Sequence, residues 1–161
     1  MSKKLVVAAV LLLLIIGVSV LAACSSGGGG ERIRASWIKP VIAGTTASIS
    51  ATEVKKDRIA HFKVNTPAGD ISFMAYELDG RIYTRADICP PCRSESFSLK
   101  GNTLVCDSCG TVFDARNGAG ISGACVKYPK AEVPYSVNGD RMVMKAEDLV
   151  NAYRETLKGK A

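Results

Sequence analysis

Along most of its length the chain places apolar and polar residues with the two-residue period of half-buried strands. The segment from Ile49 to Val54 alternates in this way, and Ile59-Ala60-His61-Phe62-Lys63-Val64 continues the pattern. Asp70 to Leu78 then runs into Asp79-Gly80 and out through Arg81-Ile82-Tyr83-Thr84. Asp-Gly between two such runs predicts a tight hairpin, because its primed turn needs positive φ. Phe97-Ser98-Leu99, Gly101-Asn102 and Thr103-Leu104-Val105 predict a second hairpin. Tyr135-Ser136-Val137, Asn138-Gly139 and Arg141 to Met144 predict a third. Short strands with regular turn signals point to a mainly β domain, a small sandwich or barrel. Only at the C-terminus does the period lengthen: Leu149, Val150, Tyr153 and Leu157 share one face of a helix. Glu147 and Asp148 suit the positive end of its dipole. This helix reads as a packing element that closes the domain, with a partner-binding face as the alternative.

The start of the chain breaks the pattern altogether. Lys3 and Lys4 precede an uninterrupted run of apolar and small residues from Leu5 to Ala23. A charged stretch followed by an apolar one has the layout of a secretory signal, and the run is also long enough to span a bilayer. Leu21-Ala22-Ala23-Cys24 resembles the lipobox of bacterial lipoprotein signal peptides. That resemblance implies cleavage before Cys24, a diacylglyceryl group on its sulfur, and membrane lipid as its partner. The alternative is an uncleaved anchor helix; both readings place the rest of the chain outside the cytoplasm, on a membrane. Ser25 to Gly30 carries no side chains able to build a core and reads as a flexible tether. The predicted organisation is a signal peptide over 1–23, a lipidated cysteine and tether over 24–33, and one domain over 34–161. The 161-residue chain has a formal charge of +6, and losing Lys3 and Lys4 with the signal lowers it to +4. No arginine-rich stripe or aromatic ladder accompanies this mild charge, which argues against nucleic-acid binding.

Six cysteines change the picture. With Cys24 assigned to lipid, five remain, an odd number for a purely disulfide-bonded exported domain. Four fall in two pairs, Cys89-Pro90-Pro91-Cys92 and Cys106-Asp107-Ser108-Cys109, separated by thirteen residues, the length of one hairpin. Two residues between ligands let both thiolates reach one metal from a tight turn, and a hairpin between the pairs lets two such loops converge. Cys89, Cys92, Cys106 and Cys109 are therefore predicted to hold one metal centre; four thiolates suit iron–sulfur, zinc or copper(I). Other readings of the pairs are two local disulfides, a structural zinc ribbon, and a dithiol oxidoreductase, which needs a helix N-terminus to lower its thiol pKa. Arg93 and Gly110 stand where haem attachment requires histidine. Cys125 reads as a packed small hydrophobe, as an alternative ligand or redox-active thiol beside the centre, or as half of an intermolecular disulfide. His61, the single histidine, lies in a strand and reads as structural. No Ser/His/Asp set, phosphate loop or nucleotide fingerprint is present.

The succession of strand, Asp79-Gly80 turn, strand, cysteine loop, hairpin, cysteine loop, Gly118–Gly120 turn and Pro129 loop resembles a Rieske iron–sulfur domain. That resemblance implies two facing metal loops and a third, Gly123 to Pro129, that shields the cluster. Rieske loops each carry one cysteine and one histidine, whereas this chain has cysteine at all four positions. The blocks Asp87 to Cys92, Gly101 to Gly110 and Gly123-Ala124-Cys125, entered through Trp37-Ile38-Lys39-Pro40, are similar to the membrane iron–sulfur FtrD-like family. The similarity implies an iron–sulfur electron carrier, not an enzyme, associated with membrane ferrous-iron uptake and with an unidentified redox partner. The rival expectation is a zinc- or copper-binding lipoprotein with a structural or metal-delivery role; a dithiol–disulfide enzyme is a third. Neutral imidazoles raise the Rieske potential, so a four-thiolate centre is expected at a lower one, tuned modestly by loop dipoles and surface lysines.

Overall fold

The computed structural model of the chain describes residues 30–66 and 69–160. The predicted signal peptide, Cys24 and nearly all of the tether lie outside the described residues. Among the described residues, thirteen strands and two helices follow in order: β1 (Arg32–Arg34), β2 (Ser36–Trp37), β3 (Val41–Ala43), β4 (Thr46–Ser50), α1 (Ala51–Asp57), β5 (Ile59–Thr66), β6 (Gly69–Leu78), β7 (Arg81–Ala86), β8 (Phe97–Lys100), β9 (Thr103–Cys106), β10 (Val112–Asp114), β11 (Gly120–Ser122), β12 (Ser136–Asn138), β13 (Arg141–Lys145) and α2 (Ala146–Lys158).

They form three sheets, ordered β2-β5-β6-β7, β1-β8-β9-β10-β11 and β12-β13-β4-β3. All neighbours are antiparallel except β2 and β5. The sheet containing β5 and β6 is central. Ala60, Phe62, Val64, Ile71, Phe73 and Ala75 face a core shared with β4, β13 and α2. Ile59, Met74, Tyr76 and Leu78 face a second core with Phe97, Leu99, Leu104 and Phe113. Ile59 to Phe62 are consequently buried on both faces, not half-buried as their alternation predicts. A second sheet covers the face that Ile59 and His61 occupy.

All three predicted hairpins form. Leu78 pairs with Arg81 across Asp79 and Gly80, whose φ of 54° and 79° are both positive, as a primed turn requires. Lys100 pairs with Thr103 across Gly101-Asn102. In the third hairpin Asn138 pairs with Arg141, so the turn is Gly139-Asp140, one residue later than predicted.

The helix count differs from expectation. Residues 51–54, predicted as strand, begin α1. Ser50 caps it, its hydroxyl accepting from the Glu53 N–H at 3.1 Å. Asp140, from the third hairpin, accepts from the Thr52 N–H at 2.9 Å and from the Ser50 and Thr52 hydroxyls. These contacts satisfy N–H groups that a helix end otherwise leaves without partners. The predicted C-terminal helix is present, with Leu149, Ala152 and Thr156 as its buried residues, while Leu157 is exposed. The buried stripe is thus turned slightly from the predicted face. No helix among the described residues is long and apolar enough to cross a membrane.

Candidate metal centre

Two loops at one end of the β8–β9 hairpin carry the cysteine pairs. In the first, Cys89 forms an isolated bridge with Ser94, its N–H donating to the Ser94 carbonyl at 2.8 Å. The chain between them turns through Pro90-Pro91 and through Arg93 at a φ of 56°. In the second, Cys106 ends β9; its N–H donates to the Thr111 carbonyl, and its own carbonyl accepts from Gly110. The loops are also tied to each other. The Asp107 N–H donates to the Ser96 carbonyl at 2.9 Å, and the Ser94 and Ser108 hydroxyls meet at 3.0 Å. The Asp107 carboxylate accepts from the hydroxyls of Ser96 and Ser98 and from Arg32. Burial opposes its charge, but these donors hold it below the usual carboxylate range.

This scaffold brings the four predicted ligands together. The Sγ atoms of Cys92 and Cys106 are 3.7 Å apart, those of Cys89 and Cys109 3.9 Å, and all four lie within 4.8 Å of one another. A tetrahedral ion with metal–sulfur bonds near 2.3 Å sets its sulfurs about 3.8 Å apart, so the arrangement has the size of a four-thiolate cage. Cys89 and Cys106 are buried, Cys92 is half-buried and Cys109 is exposed. One side of the cage therefore rests on the core and the other faces solvent.

Burial pushes the thiols of Cys89 and Cys106 above the ordinary cysteine value. At Cys109 burial opposes ionisation as well, yet hydrogen bonds with Thr111 and neighbouring thiols bring it down to about 6. Metal binding at this site must then displace protons from the inner pair. All five described cysteines are free thiols, and neither pair opens a helix.

The third loop packs beside the second cysteine loop. Cys125 is buried, with its Sγ 3.7 Å from that of Cys109 and its N–H donating to the Thr111 hydroxyl at 3.2 Å. His61 is not part of the sulfur group. It is buried, with Nε2 3.2 Å from the Phe97 carbonyl and Trp37 set edge-on against the ring. Its Nδ1 is 3.5 Å from an oxygen of Asp87, too far for a good hydrogen bond. Asp87 is itself fully buried with neither oxygen bonded. Burial moves the two in opposite directions, Asp87 up to about 8 and His61 down to about 4, while the Lys130 charge holds Asp87 back from rising further.

Four residues of the site escape the sequence reading: Asp87, Asp107, Thr111 and Lys130. Asp107 and Thr111 adjoin the second cysteine pair, and that adjacency is the only signal they give. Lys130 follows the proline of the third loop; in place of a surface lysine, the structure has one with 1% exposure.

Comparison with known proteins agrees with this geometry. The family model described as membrane iron-sulfur containing protein FtrD-like matches residues 54–155. No curated protein sequence matches the chain. Among solved structures, the complex of reduced oxygenase and oxidized ferredoxin in carbazole 1,9a-dioxygenase contains a chain similar to this one. The TM-score is 0.52 at 17% identity, over 65% of this chain and 95% of that one. The ferredoxin of carbazole 1,9a-dioxygenase from Nocardioides aromaticivorans IC177 gives 0.47 at 16% identity, over 67% of this chain and 98% of that one. The first likeness establishes the fold as Rieske-like. Four thiolates converging from two facing loops are a donor set that fits iron–sulfur.

Proposed function

The chain belongs to the membrane iron–sulfur containing FtrD-like family, and on that premise we propose that it is a lipid-anchored, extracytoplasmic carrier of single electrons serving membrane iron uptake or redox. The observation that carries this reading is the one-sided four-thiolate cage, with Cys89 and Cys106 buried and Cys109 exposed. Iron held by Cys89, Cys92, Cys106 and Cys109 supplies a one-electron couple. The protein's part is to fix the geometry and control solvent. Asp107, Ser94, Ser96 and Ser108 lock the two loops together, so little has to move when charge changes. Phe97, Leu104 and Phe113 keep water from the inner sulfurs. Cys109 leaves one edge open to a redox partner. The dioxygenase complex that contains the structural neighbour includes a ferredoxin, which supports such a role.

Sulfur spacing favours a second reading. All four sulfurs lie within 4.8 Å, the size of a cage around one ion, whereas a multi-iron cluster sets the sulfurs of different irons further apart. A single zinc, copper or iron ion is the alternative occupant, zinc or copper implying a structural or metal-delivery role. Iron, zinc, copper and acid-labile sulfide are measured on anaerobically purified protein, with visible spectra before and after dithionite. The carrier reading expects iron and a visible band that dithionite bleaches. Stoichiometric zinc with no visible absorption overturns it.

The anchor rests on Cys24 and is tested separately. Cys24→Ser should abolish lipid labelling and leave an unprocessed precursor; unchanged labelling would remove the lipoprotein assignment.

A further inference from the structure

Lys130 is buried beneath the cysteine loops with 1% exposure. Its ammonium donates to the Ile88 carbonyl at 2.6 Å, one residue before Cys89. It also lies 4.5 Å from the ring centroid of Phe113 and 5.3 Å from that of Phe97. None of the ion pairs among the described residues includes it. A buried charge without a partner costs far more than one carbonyl and two ring faces return. Its counter-charge has to come from nearby.

The lysine is also held in place deliberately. Its N–H donates to the Gly118 carbonyl at 2.8 Å, and its carbonyl accepts from Arg85 Nη1 at 2.9 Å. Arg85 is buried too, and donates to the Tyr76 hydroxyl and the Arg116 carbonyl. Gly118 has a φ of 75°, and a Cβ there would come within 2.1 Å of the Lys130 carbonyl. Charged and backbone groups from β6, β7 and the β10–β11 turn thus fix one lysine under the metal loops.

We propose that Lys130 is the buried counter-cation of the metal centre, a positioning residue that raises its reduction potential. This rests on the iron–sulfur carrier reading. A four-thiolate iron centre is anionic in both oxidation states and becomes more negative by one charge on reduction. A fixed ammonium in a poorly solvated core stabilises the more negative state more strongly. One electron enters from a reductant such as dithionite, the iron is reduced, and the lysine proton stays on Nζ. Burial holds the lysine pKa below its ordinary value, and the facing sulfurs of Cys89, Cys106 and Cys125 and the Asp87 carboxyl act the other way without overcoming it.

The test compares full-length wild type with Lys130→Gln, which can still donate to the Ile88 carbonyl, Lys130→Met, which keeps the apolar stem, and Lys130→Arg. Iron content and spectroelectrochemical potential are measured for each. With iron retained, the Gln and Met variants should show at least a tenfold fall in the reduced-to-oxidised ratio at fixed electrode potential, ~59 mV for one electron. The Arg variant should stay closer to wild type. Loss of iron from the Gln and Met variants with retention in the Arg variant also supports the proposal, since only charge is rescued. Iron retained at an unmoved potential, or lost equally from all three variants, overturns it. Colourless, zinc-loaded wild type overturns the carrier reading together with this inference, and is recognised before any variant is made.

Discussion

His61 shows what burial does to a titratable side chain in this domain. Burial lowers its pKa to about 4, while hydrogen bonding to Phe97 and the charge of Asp107 act weakly the other way. In the unfolded chain the same ring titrates near its ordinary 6.5. Above that pH it is neutral in both states and contributes nothing. As pH falls from 6.5 towards 4, the unfolded chain takes up a proton that the folded chain refuses, and stability is lost. The shift corresponds to about 3 kcal/mol when complete. His61→Gln should remove this part of the acid sensitivity. Urea titrations at successive pH values should show wild type losing more stability than the variant between pH 6.5 and 4; parallel curves would refute the assignment. The cysteines call for a different readout. Each of Cys89→Ser, Cys92→Ser, Cys106→Ser and Cys109→Ser should strip or badly weaken the metal, because a serine hydroxyl is a hard, un-ionised ligand. Cys125→Ser should retain it, since Cys125 lies outside the mutual 4.8 Å group. Metal analysis of the five variants decides; loss from Cys125→Ser with retention in one of the others would redraw the ligand set. The grouping of Cys89, Cys92, Cys106 and Cys109 was legible because two closely spaced pairs separated by one hairpin bring their sulfurs to one place. Lys130, Asp87 and Arg85 were not, because their meaning comes from burial, and isolated charges near a loop give no sign that the fold will cover them.

At the scale of elements, the hairpins were legible and α1 was not. A hairpin announces itself locally: Asp79-Gly80 fixes both turn and register. The α1 segment alternates over the few residues from Ile49 to Val54, so period alone favours strand there. Its competing signal, serine followed three residues later by glutamate, is that of a helix start, and it prevails in the fold because Asp140 arrives from a distant hairpin to complete the cap. Ser50→Ala should therefore reduce unfolding free energy by about 1 kcal/mol, read from urea midpoints at unchanged slope. Metal content should not move, because α1 lies on the core away from the cysteines. A variant as stable as wild type would mean that Asp140 alone caps the helix.

The whole molecule is a central sheet between two cores of different composition. One gathers Ile49, Phe62, Phe73, Met142, Met144 and Leu149 and contains no cysteine. The other includes Cys89, Cys106 and Cys125 among its buried members. The first is sustained by apolar burial among its strands, α1 and α2. The second is completed by loops whose mutual contacts are mostly hydroxyls, one carboxylate and the sulfurs, and such loops depend on metal to tie them. Removing the metal should consequently be felt unequally. Chelation under reducing conditions should lower the thermal midpoint. Amide hydrogen exchange should accelerate in β8 to β11 and in both cysteine loops, while the β4–β13 ladder and α2 keep their protection. Local openings of this kind follow contiguous units of low stability, and here the unit is the sheet that carries the loops. Uniform acceleration over both cores would instead show that the metal stabilises the molecule as one cooperative body, and unchanged exchange in β8 to β11 would show that the Asp107 network holds the loops without it.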